Sequence, residues 1–132
     1  SSAPELPATY LVTECYHSMF NGCTSLTSAP KLPATTLEWG CYSEMFQGCT
    51  SLTSAPELPA KELIRNCYQL MFKDCSKLRY VKALFTTSPS EETTKNWLSG
   101  VAASGTFVKS KNATWNVTGI HGIPKGWKIE TQ

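Results

Sequence analysis

Cys41-Tyr-Ser-Glu-Met-Phe-Gln-Gly-Cys-Thr-Ser-Leu-Thr-Ser-Ala-Pro56 decides the reading of this chain, because most of it recurs at a fixed distance. Aligned without a gap, 9–34 and 35–60 are identical at 18 of 26 positions. A truncated copy, Ser-Ala-Pro-Glu-Leu-Pro-Ala, opens the chain at 2–8. A third unit, 61–86, has drifted but keeps Leu63, Cys67, Tyr68, Met71, Phe72, Cys75, Leu78 and Leu84 in register. Repetition at a period of 20–50 residues marks units that bury their apolar faces by stacking on one another.

Within the second unit, Leu37, Cys41 and Met45 recur every four residues, with Tyr42 and Phe46 beside them. That spacing predicts an amphipathic helix, and Gly48 stands where a helix end favours a residue tolerant of the left-handed conformation. The equivalent positions hold Gly22 and Asp74. Leu52–Ala55 then reads as a strand of about three or four residues, cut short by Pro56 and Pro59. One helix and one short strand per unit is the leucine-rich-repeat pattern. The predicted fold is therefore an α/β leucine-rich-repeat solenoid of about three 26-residue units. Its organisation would be repeats over 1–86 (partial 1–8, then 9–34, 35–60 and 61–86) and a mixed α/β cap over 87–132.

The motif at 41–56 resembles the BspA-like leucine-rich repeats of bacterial surface proteins, common in Bacteroides and its relatives, and the likeness covers 1–86. Gly-Thr-Phe-Val-Lys at 105–109 and Gly-Ile-Pro-Lys-Gly-Trp at 122–127 are similar to the segment that often closes such arrays. The resemblance implies a secreted or surface-anchored, non-enzymatic protein that adheres to or binds host components. The chain opens on Ser1 inside a repeat, with no charged or apolar leader. A trimmed piece of a longer protein is the expectation, so the missing leader says nothing about location.

Residues 87–132 carry no repeat copy and no cysteine. Ser88-Pro-Ser-Glu-Glu92 resembles a helix start. Trp97, Leu98, Val101 and Ala102 continue it as an apolar stripe that ends at Gly105. Thr106–Lys109 and 127–130 alternate like strands, with 120–124 as a candidate pairing segment. Trp97, Trp115 and Trp127 are read as cap core, with a sugar-stacking platform as the alternative.

The six cysteines form two columns, Cys15/Cys41/Cys67 and Cys23/Cys49/Cys75, one Cys-x7-Cys pair per unit. Unpaired thiols in the core are the leading reading, since free cysteine behaves as a small buried hydrophobe. Disulfides within each unit remain open. Zinc is disfavoured because no Cys-x2-Cys spacing exists and His17 has no second histidine nearby. With only His17 and His121, no glycine-rich phosphate loop and no paired carboxylates, the chain reads as a non-enzyme without a cofactor.

Lys and Arg number 12 against 10 Asp and Glu, a formal net charge of +2. That balance argues against nucleic acid, and no apolar run approaches the length of a membrane-spanning helix. Leu26, Ala29 and Leu32 should face inward, leaving the residues between them as exposed columns. Those columns give the candidate ligand-binding residues: Arg79, Tyr80 and Lys82 in the third unit, with Thr53, Glu57 and Lys31 before them. Arg and Tyr are enriched among binding hot spots. Trp39, aligned with Thr13 and Arg65, is a further candidate on the outer side of the helix. The expected function is recognition of a host or bacterial surface protein by a monomer outside the cell. A carbohydrate-binding module using exposed aromatics and a structural spacer displaying another domain are the alternatives.

Overall fold

A computed structural model describes residues 3–132. The opening Ser1-Ser2 of the short copy lies outside the described residues. Regular elements are few and lie in the C-terminal half: β1 (Tyr80–Ala83), α1 (Glu91–Thr94), β2 (Thr106–Lys109) and β3 (Lys128–Thr131). The strands form one parallel sheet in the order β1-β2-β3. Tyr80 pairs with Thr106, and Thr106 with Lys128.

This overturns the expected helix-plus-strand leucine-rich-repeat solenoid. Where each unit was to hold a helix, residues 13–22, 39–48 and 65–74 run as successive turns. In the first of these, Cys15, His17, Met19, Asn21 and Cys23 each donate an amide to the carbonyl three residues back. The amides between them point away, toward the following unit. Tyr16 donates to the Cys41 carbonyl at 3.0 Å, Ser18 to Ser43 at 2.9 Å and Phe20 to Met45 at 2.9 Å. Every fourth residue adopts a positive φ: Glu14, Ser18 and Gly22, then Gly40, Glu44 and Gly48, then Asn66, Leu70 and Asp74. A left-handed residue in every turn cannot belong to an α-helix. Gly48 thus has the conformation its sequence suggests, but it closes a turn rather than a helix.

The competition is decided by what lies above and below. A helix satisfies its amides internally, whereas these coils share them with the next unit and bring identical side chains into register. Tyr16, Tyr42 and Tyr68 stack with ring centroids 5.9 and 6.2 Å apart, and Phe20, Phe46 and Phe72 with centroids 5.6 and 5.5 Å apart. Offset-stacked rings each contribute roughly 0.5–1.5 kcal/mol beyond their area.

The extended halves also depart from expectation. The 52–55 segment is not a strand; regular pairing starts only at β1, slightly later in the repeat. Before it, Leu58 makes a single parallel bridge to Ala83. The stack slips here. Arg79 donates to the carbonyl of Thr53, its own equivalent in the preceding unit, but Leu58 pairs with Ala83 rather than with its equivalent Leu84. Leu84, expected in the core, is therefore half-buried, and Phe85 is fully buried in its place.

In the cap, Ser90 caps α1 by accepting from the Glu92 amide. The helix ends at Thr94, so Trp97 and Leu98 do not continue it; residues 95–100 are turns. This turn segment nevertheless forms the next layer. Phe72 donates to the Trp97 carbonyl at 2.9 Å, and the Trp97 ring lies 5.8 Å from Tyr68. β2 and β3 pair directly rather than through 120–124, where Ile123 bridges Thr118.

Candidate functional site

Proline confines regular pairing to β1 onward, and the alternation of β1 turns Val81 and Ala83 into the core while Tyr80 faces solvent and Lys82 is half-buried. The slip at Leu58 then gives Lys82 a neighbour that the sequence alignment assigns to Ala83. Lys82 Nζ lies 3.2 Å from Glu57 Oε1. Expected columns of Lys31, Glu57 and Ala83 become Lys31, Glu57 and Lys82 in structure, a strip of alternating charge. On β3, Lys128 and Glu130 pair at 3.1 Å, so the neighbouring surface is also neutralised. Exposed pairs of this kind are worth at most about 1 kcal/mol each.

Arg79 and Tyr80 are exposed, and Arg79 is tied to the stack by its amide and by its carbonyl, which accepts from Thr106. Lys31 and Glu57 are exposed and Thr53 is half-buried. Lys31 and Glu57 border a shallow groove of about 490 Å³, floored by Ala29, Leu32 and prolines 30, 33, 56 and 59. The structure therefore groups Lys82 with Glu57 and Lys31 with Glu57. Trp39 stands apart from them, exposed at the start of a run of turns rather than on a helix.

The cap tryptophans do not form a stacking platform. Trp97, Trp115 and Trp127 are buried, and their indole N–H groups donate to the carbonyls of Gly122, Phe85 and Ala102 at 3.0, 3.1 and 2.9 Å. Sequence reasoning missed Lys109, a cation buried in this core. Its Nζ donates to the Trp115 carbonyl and Asn116 Oδ1 at 2.8 and 2.9 Å and lies over the Trp115 ring. Its alternation within Thr-Phe-Val-Lys could only have suggested an edge residue.

All six cysteines are unpaired, so the Cys-x7-Cys pairs are not bridged. Burial pushes the Cys41 and Cys49 thiols up to about 11 and those of Cys67 and Cys75 to about 12. Cys49 and Cys75 donate to the carbonyls of Phe20 and Phe46 in the preceding layer. Thiols held neutral in this way are poor nucleophiles. His17 pairs with Glu44 at 3.2 Å, and His121 accepts hydrogen bonds from Asn96 and Thr94. Among the described residues, no group of three or more His, Cys, Asp or Glu is placed to hold a metal ion, and no helix is long and apolar enough to cross a membrane. Comparison with family models, with curated proteins and with solved structures finds no match to this chain.

Proposed function

We propose that this chain is a non-covalent recognition module acting outside the cell, at a surface or as a secreted protein. It binds a protein partner through the outer face around β1, as a monomer and with no catalysis or cofactor. The observation that carries this reading is Tyr80: 38% exposed on a strand whose next residue, Val81, is fully buried. An amphipathic ring fixed on a rigid strand loses little entropy on binding, which is what makes Tyr a frequent hot spot. Arg79 beside it and Lys82 further along the strand supply donors, while Glu57, Lys31 and Thr53 extend the face along the groove. The extracellular setting rests on the likeness of the 41–56 motif to bacterial surface repeats, not on the fold.

The charge pairing of Lys82 with Glu57 and Lys128 with Glu130 favours a second reading, a spacer that displays another domain. A sugar-binding variant would rely on Trp39, since the cap tryptophans are occupied with their own core. A binding screen of the purified chain against matrix proteins and a glycan array separates these readings, run beside an Arg79→Ala/Tyr80→Ala/Lys82→Ala variant. Protein binding that is lost in the variant supports the β1 face. Glycan binding that survives in the variant but is lost in Trp39→Ala moves the site. Absence of any binding favours the spacer.

A further inference from the structure

The main-chain hydrogen bonds that join one turn segment to the next all have one direction. Layer by layer, the turn segments donate toward the C-terminal side: Gly40, Tyr42, Glu44, Phe46 and Gly48 to the carbonyls of Arg65, Cys67, Gln69, Met71 and Lys73. Asn66, Tyr68, Leu70, Phe72 and Asp74 repeat the pattern onto Glu92, Thr93, Lys95, Trp97 and Ser99. Each turn segment after the first therefore presents an acceptor row that the preceding layer fills. In the first unit the same row is made by the carbonyls of Thr13, Cys15, His17, Met19 and Asn21, and among the described residues no donor meets them. The side chains agree. Met19 is 44% exposed and Cys15 is exposed, while their equivalents Met45 and Cys41 are wholly buried.

The other end of the stack is partly covered by the cap. Asn96 donates its amide to His121 Nδ1 at 3.1 Å, where the earlier layers use a carbonyl, and Thr94 Oγ1 donates to the His121 carbonyl at 2.6 Å. Trp97 Nε1 donates to Gly122 beside it. With the Thr94 and Asn96 amides already engaged, a second copy can bring only an incomplete donor row head-to-tail, and two acceptor rows placed face to face cannot bond. The short copy is already partly in place, with Leu6 buried in the column of Leu32 and Leu58. Only the turn half of the layer is uncovered.

We infer that the 13–21 edge is a docking ledge for the turn half of one more coil of this chain's own repeat type, joined in cis ahead of the short copy. Its alternate amides would fill the five carbonyls, and its Cys, Tyr, Met and Phe side chains would cover Cys15, Tyr16, Met19 and Phe20 as the first unit covers the second. This rests on the unit-to-unit interface seen twice within the repeats, and is independent of what the β1 face binds.

The test places a copy of the sequence of residues 35–52 directly before Ser1, which together with the short copy completes one full unit. Alkylation of Cys15, read by peptide mapping, is expected to slow by about tenfold or more, as for a site whose access now needs local opening. A scrambled version of the same added segment should leave Cys15 as reactive as in the 132-residue chain. Met19→Lys should leave the original chain folded with an unchanged Tm, yet abolish the protection in the extended chain. Unslowed alkylation in the extended chain, or equal protection by the scrambled segment, overturns the inference. So does a dimer of the original chain, seen by sedimentation, in which Cys15 is already protected.

Discussion

Units 9–34 and 35–60 are identical at 18 of 26 positions, yet their side chains live in different environments. Tyr42 and Phe46 lie between two rings each, whereas Tyr16 and Phe20 each have one. Cys41 and Met45 are buried, and Cys15 and Met19 are not. The backbone hardly notices: Glu44 and Ser18 have the same φ of 56°, and Gly48 and Gly22 have φ of 76° and 75°. Conformation in this chain is a property of the unit, while burial is a property of its neighbours. Substitutions at matched positions should therefore separate the two.

The largest contrast is expected at the phenylalanine ladder. Phe46→Ala removes a ring packed on both faces and should cost about 3–5 kcal/mol. Phe20→Ala should cost no more than about half of that, because its outer side has no second layer and the gap can collapse. Denaturant midpoints at unchanged m-value would check it. Equal losses would mean that the ladder is not what distinguishes the units.

Alkaline pH is the next probe. Cys41 is held neutral by burial, with its pKa raised from 9.0 to about 11. A folded-state pKa raised in this way means the unfolded chain gives up its proton first. The stability is fully present below the ordinary thiol value of 9.0 and is lost as the pH climbs to about 11. The full loss is about 2–3 kcal/mol for such a thiol. Chemical denaturation at pH 8 and above should show this decline, and Cys41→Ala should make it shallower. In the native protein, alkylating reagents should reach exposed Cys15 and leave Cys41 untouched until unfolding. A flat alkaline profile would place Cys41 outside the core.

Glycine probes the shared half of the comparison. Gly22→Ala and Gly48→Ala each force a side chain into a left-handed position, where the cost is about 1–2 kcal/mol. Neither substitution meets a tight contact: nothing lies within 4 Å of the first, and the Gly22 Cα is 3.7 Å from the second. The two losses should match closely, measured by the same denaturant titration. A much larger loss at Gly48 would show that even the turns depend on stacking.

The repeat length and most inward columns were legible because apolar residues recur at one spacing, and the cap tryptophans because large apolar side chains in a closing segment have a core to fill. The element type was not. Leu37, Cys41, Met45 and Cys49 are spaced by four throughout, which fits one helix face only loosely. At 3.6 residues per turn each such step drifts by about 40°, and a chain of turns returning at every fourth position fits better. That strictness was the available signal, and Gly at 40 and 48 pointed the same way. The slip at Leu58 was hidden, since aligned Pro56 and Lys82 gave no hint that Glu57 would face Lys82. Of the candidate binding residues, exposure of Arg79 and Tyr80 followed from their place between the inward columns of Leu78 and Val81, whereas the neutralising ion pair needed three dimensions.

The smallest effect expected is at the side-chain contact that crosses from the first unit to the second, His17 Nε2 to Glu44 Oε2 at 3.2 Å, which is an ion pair only when the imidazole is protonated. Both side chains are about one-third exposed, so water screens the attraction and ordering the pair offsets much of the gain. Glu44→Gln should change stability by less than about 0.5 kcal/mol, read from the denaturant midpoint at neutral pH. The equivalent positions one layer on, Ser43 and Leu70, carry no such pair, and yet the amide-to-carbonyl ladder there is intact. Register is therefore set by main-chain hydrogen bonds and stacked rings. A loss above about 1 kcal/mol would exceed what exposed pairs contribute and would make the first interface, unlike the second, depend on its surface charges.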